Sequence, residues 1–191
     1  MKRIFAWIAA AAVAVSVAAV TAQSQSNSQR GQAKPQRTEQ RQERHEERVK
    51  QRAARLAAFE KHMDSLILSR NFQFNPSSMQ QQPAGPLRQL MNPNFSVGVW
   101  DGTVDVCLPY IKGYVAPYYY TVLNYVLPSV EGYRAEQTSE GWIVSFSSTL
   151  FSSNDYTFTF DIYSSSGSAN LTITSVWYNP VQYTGTITQV Y

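Results

Sequence analysis

After Arg70 the chain changes period: apolar side chains recur at every second position instead of every third or fourth, and they keep doing so nearly to the end. A period of two puts successive side chains on opposite faces of an extended backbone, so it describes strands with one face buried. Phe95, Val97 and Val99 alternate up to Asp101-Gly102, and Val104, Val106 and Leu108 alternate after it. An Asp-Gly pair between two such runs is a hairpin signal, because both residues tolerate the positive φ of a tight turn. Leu123–Val126 and Val130–Gln137 read as strands parted by Pro128, and Thr138–Gly141 as a turn. Trp142, Val144, Phe146 and Leu150 then line one face of a long strand, and Tyr156, Phe158, Phe160 and Ile162 one face of the next. Ser164–Ser168 closes another hairpin; Leu171 and Ile173, extended to Trp177, continue the pattern, and Gln182–Thr188 forms the last strand. At the start, Asn71 to Phe74 reads as a short strand ended by Asn75-Pro76, with Ser77–Pro86 a Gln/Pro/Gly-rich loop. Eight or so short strands joined by close turns, with no helices between them, predict an all-β antiparallel meander forming a barrel or curled sheet.

The first seventy residues are of another kind. Lys2 and Arg3 precede an apolar stretch from Ile4 to Val20, and Val20-Thr21-Ala22 offers small residues at the −3 and −1 positions. That is the pattern of a signal peptide cleaved after Ala22, which predicts export to the periplasm or beyond. Residues 23–37 hold almost no apolar side chain and are expected to be a disordered linker. From Thr38 the composition turns to helix formers, and Val49, Ala53, Leu56, Phe59, Met63 and Leu66 follow helical spacing. One charged amphipathic helix is therefore expected over residues 38–69, its apolar face docked on the β domain at 70–191. Charge divides the same way. Residues 23–70 carry eleven Lys and Arg against six Asp and Glu, whereas residues 71–191 carry three against seven. The sequence pI near 9.0 thus belongs to the arm.

Little of the chain suits catalysis. The only histidines are His45 and His62, both in the arm, and His45-Glu-Glu-Arg-Val49 lacks the second His of a zinc-protease motif. No Gly-x-Ser-x-Gly elbow occurs, and the β region has no His to activate a Ser, Thr or Cys. Among the acids, Asp101, Glu140 and Asp155 fall at turns, while Asp105 and Asp161 fall on polar strand faces; none suggests a perturbed carboxyl pair. No cofactor and no metal are expected, and the protein is read as not an enzyme. Cys107 is the single cysteine; its place in the run Val104–Leu108 predicts a core residue, and no internal disulfide can form.

Several short segments, in order, carry a resemblance: Met91-Asn-Pro-Asn-Phe95, the Asp-Gly hairpin, Leu108-Pro-Tyr110, Tyr114, Ala116-Pro117-Tyr118 and Tyr183-Thr-Gly185-Thr-Ile187. Over roughly residues 40–191 the chain resembles an uncharacterised secreted family of Gram-negative bacteria, domain of unknown function forty-two fifty-one. The resemblance implies a lipocalin-like β architecture and no assigned activity. The chain departs from the family's pattern around Tyr118–Val126, where Tyr and Val stand in place of a Gly-rich stretch.

Two features are candidates for recognition. Tyr110, Tyr114, Tyr118, Tyr119 and Tyr120, with Trp100 nearby, pair apolar rings with hydrogen-bonding tips; at a barrel mouth they suit a small apolar or amphipathic ligand. The same rings could instead cover the core beneath a long loop. Arg41, Arg44, Arg48, Arg52 and Arg55 recur at three- and four-residue steps and suit an anionic envelope lipid or a partner protein, though interleaved acids favour a solvated helix. Nucleic acid is not expected as a partner of an exported chain, and a monomer is. The leading expectation is a periplasmic binding module, with a non-catalytic envelope-associated structural or interaction protein as the alternative.

Overall fold

The computed structural model describes residues 38–113, 119–128, 130–150 and 154–190; the expected signal peptide and linker lie outside them. The chain divides into two units, Met1–Ala54 and Arg55–Tyr191. A helix, α1, spans residues 38–68. In the first unit its residues 38–54 are all exposed, Val49 included.

The second unit holds the end of α1 and ten strands: β1 (Phe72–Gln81), β2 (Arg88–Gln89), β3 (Ser96–Trp100), β4 (Thr103–Lys112), β5 (Tyr119–Leu127), β6 (Glu131–Gln137), β7 (Gly141–Leu150), β8 (Asn154–Tyr163), β9 (Ser168–Ser175) and β10 (Val181–Gln189). Nine run in the order β5-β4-β3-β1-β10-β9-β8-β7-β6, and β2 pairs with the far half of β1. Every pairing is antiparallel.

This order requires a curl. The edge strands β5 and β6 are consecutive in sequence yet stand at opposite ends of the sheet. From Leu127 to Glu131 the chain spans at most ~14 Å. Eight strand spacings laid flat would hold the two edges ~38 Å apart. The sheet therefore bends into a half-barrel with its two edges brought near each other, an all-β fold preceded by a helix.

Alternation fills the concave side. Phe72, Phe74, Val97, Val99, Val104, Val106, Leu108, Val144, Phe158, Phe160, Leu171 and Ile173 are completely buried. Near α1 the packing is aromatic. Phe160 meets Phe72 and Phe74 edge-on at 5.8 and 5.7 Å between ring centres, and Phe146 stacks on Phe158 at 5.1 Å. The last turns of α1 bury Met63, Leu66 and Ile67 in this same core. Leu56 and Leu68 stay exposed, so the helical stripe docks only through its C-terminal part. Asp64 fixes that part: it accepts hydrogen bonds from Trp142 Nε1 at 2.7 Å and Ser164 Oγ at 3.2 Å.

Three expectations are corrected. β1 does not stop at Pro76 but continues through Gln81, because a bulge between Pro76 and Ser78 takes up the proline's missing N–H. Gly185 lies opposite, where a Cβ would stand 2.2 Å from the Asn75 carbonyl oxygen; only glycine allows that approach. Cys107 is half-buried on the outer face, opposite Ser96, since Val106 and Leu108 take the inward positions beside it. Trp177 lies beyond the end of β9 and is exposed.

Candidate functional site

The interior of the half-barrel has two halves of different chemistry. The half beside α1 is filled mainly by phenylalanines, with Tyr133 stacked on Phe146 and its hydroxyl on the Ile67 carbonyl. In the other half tyrosines from separate strands converge: Tyr110 of β4, Tyr125 of β5, Tyr156 of β8 and Tyr183 of β10, joined by Tyr178 from the β9–β10 connection. Alternation accounts for each. Tyr110 continues the inward series Val104, Val106, Leu108; Tyr125 lies between Leu123 and Leu127; Tyr183 lies two positions from Val181. The Tyr110 ring meets Tyr156 edge-on at 5.6 Å and Tyr178 at 6.4 Å.

Unlike phenylalanine, each tyrosine brings a hydroxyl that must find a partner when buried. Tyr183 Oη donates to the Pro109 carbonyl at 2.6 Å. Tyr125 Oη and Ser148 Oγ are buried and meet each other, though not in good hydrogen-bond geometry. They belong to strands on the two sides of the seam, β5 and β7, so the site closes across the gap between the sheet's edges. Gln81, also buried, donates from Nε2 to the Gly113 carbonyl at 3.0 Å and ties the end of β1 to the start of the β4–β5 connection.

Burial pushes three of these phenols toward the neutral form. Tyr183 titrates well above an ordinary tyrosine, from burial first and then from neighbouring Tyr110, Tyr125 and Tyr156. Tyr125 is raised by burial and by Tyr156, with the nearby Ser148 hydroxyl offsetting part of the rise. Tyr156 is raised by burial and by Tyr178. The cluster is thus a neutral, hydroxyl-bearing surface at ordinary pH, able to donate and accept hydrogen bonds but not to act as a base.

The sequence profile of the domain of unknown function DUF4251 matches residues 54–187. The chain belongs to this family. A crystal structure of a DUF4251 family protein from Bacteroides eggerthii has the same fold, with a TM-score of 0.54 at 14% sequence identity, over 70% of this chain and 89% of that one. No curated protein matches the sequence. The DUF4251 domain thus begins within α1 and takes in nearly all of the sheet.

The structure distributes the aromatic residues singled out from the sequence instead of gathering them at one mouth. Tyr110 is in the core cluster. Tyr119 and Tyr120 are exposed on the edge strand β5, where the Arg88 guanidinium sits 4.7 Å from the Tyr120 ring centre and donates to its hydroxyl. Trp100 lies on the opposite, convex face, the edge of its ring against Gly98. Tyr114 and Tyr118 lie outside the described residues. Arg41, Arg44, Arg48, Arg52 and Arg55 are all exposed on α1. The sequence reading missed Tyr125, Ser148, Tyr156, Tyr178 and Tyr183. Their signal was present for three: Tyr125, Tyr156 and Tyr183 occupy inward positions of their alternating runs. What brings them together is the curl, which local pattern does not encode. The outer surface carries a cleft of about 490 Å³ near Glu60, Asp64 and Glu140, and another of about 570 Å³ beside Trp100.

Proposed function

We propose that this DUF4251 domain is a non-catalytic binding module of the bacterial envelope that takes a small amphipathic ligand in the tyrosine-lined half of its barrel. The observation that carries the reading is the pair of buried hydroxyls, Tyr125 Oη and Ser148 Oγ, which meet each other only in poor hydrogen-bond geometry, beside phenols that burial holds neutral. A buried hydroxyl without a partner costs about 1–3 kcal/mol. Phenylalanine and alanine would fill the same space at no such cost. A ligand with one polar end recovers the lost hydrogen bonds, while its apolar part suits the rings. Large inward residues fill the half beside α1, so the ligand is smaller than one that would occupy a whole barrel. Raised rather than lowered phenol pKa values support binding over acid–base chemistry. The signal-peptide pattern at residues 1–22 supports export.

The test is native mass spectrometry of protein recovered from a bacterial periplasm, with organic extraction of the same sample. A stoichiometric small molecule that is lost in Tyr125→Phe or Ser148→Ala supports the reading. A bare protein mass in repeated preparations refutes it.

The second reading, an interaction protein that works through its arm, is favoured by one observation: Arg41, Arg44, Arg48, Arg52 and Arg55 are exposed on α1, which also exposes Val49 and Leu56. Basic and apolar groups on one helix suit a surface of anionic lipid. Co-sedimentation with anionic liposomes that Arg44→Glu, Arg48→Glu and Arg52→Glu abolish together supports it; unchanged co-sedimentation removes it.

A further inference from the structure

Gln73, Gly98 and Asp105 stand side by side across β1, β3 and β4, paired Gln73 to Gly98 and Gly98 to Asp105. All three point outward, since Phe72, Phe74, Val97, Val99, Val104 and Val106 take the inward positions around them. The glycine leaves a gap in the middle of the row, and the indole of Trp100, two residues along β3, lies in it. A Cβ on Gly98 would stand 2.4 Å from Trp100 Cζ3, so glycine is what lets the edge of the indole come in against β3. Around the ring a cleft of about 570 Å³ is lined by Asn71, Gln73, Ser96, Asp105 and Val190. That volume is within the range of ~300–1,000 Å³ common for small-ligand sites.

We infer that this convex face is a second recognition site, for a pyranose unit of a carbohydrate chain, with Trp100 as its stacking platform. A pyranose has a face of weakly positive C–H bonds and a rim of hydroxyls. The negative face of the indole suits the first. The second needs donors and acceptors mixed, and two amides, one hydroxyl and one carboxylate supply both. A cation would favour more negative charge than Asp105 alone provides, and a lipid chain a more apolar wall. The Gln73 amide is also held in place. Its Nε2 donates to Asn75 Oδ1 at 2.9 Å, Asn75 Nδ2 donates to Thr188 Oγ1 at 2.9 Å, and Thr188 Oγ1 returns to the Gln73 carbonyl at 3.4 Å. This ring of bonds holds the Gln73 amide beside the cleft, so little freedom is lost on binding. The cleft is open along the sheet, which suits an internal unit of a polysaccharide. The site is distinct from the tyrosine cluster, on the other side of the sheet, and stands without it.

The test is native affinity electrophoresis of the exported chain in gels containing, in turn, a β-glucan, an α-glucan, a galactomannan, an arabinoxylan and solubilised peptidoglycan. At least one is expected to retard the protein. Trp100→Ala should weaken that interaction roughly tenfold or more, a size usual for losing a central aromatic contact. Gln73→Ala and Asp105→Asn should weaken it severalfold with unchanged melting temperature. If Trp100→Ala fails to fold, these two variants decide the matter. Retardation by none of the five, or retardation that survives all three substitutions, overturns the proposal. So does binding of tetramethylammonium, lost in Asp105→Asn, in a protein that no polysaccharide retards.

Discussion

Asp64→Ala tests how α1 is held to the barrel. The Asp64 carboxylate is the shared acceptor for the Trp142 indole N–H at 2.7 Å and the Ser164 hydroxyl at 3.2 Å, and both donors are nearly buried, at 7% and 9% exposure. A hydrogen bond to a charged group is worth about 1.5–3 kcal/mol, and an ordinary one about 0.5–1.5 kcal/mol. The longer Ser164 contact belongs at the low end. Removing the carboxylate also strands the Trp142 N–H, whose alternative partners are limited by its burial. The expected loss is about 2–4 kcal/mol, a large share of the ~5–15 kcal/mol of a typical domain. Urea unfolding followed by far-ultraviolet circular dichroism reads it as a lower midpoint at unchanged slope. Asp64→Asn keeps an uncharged acceptor of the same size and should lose about half as much. A double-mutant cycle with Trp142→Phe isolates the pair and should give a coupling of about 1–2 kcal/mol. A loss below about 0.5 kcal/mol for Asp64→Ala, or a coupling of zero, would refute the reasoning, because the clamp would then be no better than solvent for either partner.

Ser148→Ala and Tyr125→Phe should leave the ligand-free protein as stable as before or more so by up to about 1 kcal/mol, measured by denaturation, since each removes a buried hydroxyl whose contact is poorly aligned; a loss above about 1 kcal/mol would mean that the two hydroxyls form a full hydrogen bond in solution. Gly185→Ala should destabilise by about 3 kcal/mol or fail to fold, because its Cβ meets the Asn75 backbone and not a movable side chain; a melting temperature within a few degrees of the unsubstituted protein would show that the bulge is soft. Alkali should unfold the protein cooperatively. Tyr125, Tyr156 and Tyr183 are raised and Tyr133 is pushed up to about 12, mainly by burial, so the folded state holds these protons longer than the unfolded one. Their stabilisation is complete below the unfolded tyrosine value near 10 and is lost as pH climbs from there through 12. Tyrosinate absorbance that rises in step with loss of circular dichroism is the expected result, whereas complete ionisation of all tyrosines in a folded protein would contradict it.

The strands were readable because their burial is one-sided: Val104, Val106 and Leu108, or Phe158 and Phe160, declare an inward face without reference to any partner. The Asp101-Gly102 turn was readable for the same local reason, and both residues have the positive φ values, 48° and 77°, that the pair predicts. What local pattern missed depends on neighbours. Pro76 argues against a strand until Gly185 is known to lie opposite and a bulge absorbs the mismatch. The place of β1, between β3 and β10, depends on pairings far apart in sequence, which no run of residues announces. The apolar stripe on α1 was legible, but only Met63, Leu66 and Ile67 bury it, because the sheet meets the helix only at its C-terminal turns. Proximity in sequence also misled for the candidate site. Trp100, Tyr110 and Tyr120 are separated by ten residues each, yet they occupy the convex face, the core and an exposed edge, since alternation and turns send near neighbours apart.

The two halves of the barrel interior make the case for binding by contrast. Around Phe72, Phe74, Phe146, Phe158 and Phe160 the chain uses mainly rings without polar atoms, joined by Tyr133, which stacks on Phe146 and donates its hydroxyl to the Ile67 carbonyl, and the C-terminal turns of α1 close that half. Nothing there asks for a further partner. Across the seam, the same sheet uses tyrosine at Tyr110, Tyr125, Tyr156 and Tyr183, and serine at Ser148. Packing does not require the hydroxyls, for phenylalanine serves the same positions in the other half. Tyr183 uses its hydroxyl to hold the Pro109 carbonyl, which is a structural return. Tyr125 and Ser148 gain less, a poorly aligned contact with each other from strands that are not hydrogen-bonded neighbours. Stability alone would favour their removal, as the variants above are expected to report. Polar groups that the fold does not need, placed where the sheet is closed by side chains instead of a ladder, are where a small polar-ended ligand gains most from entering.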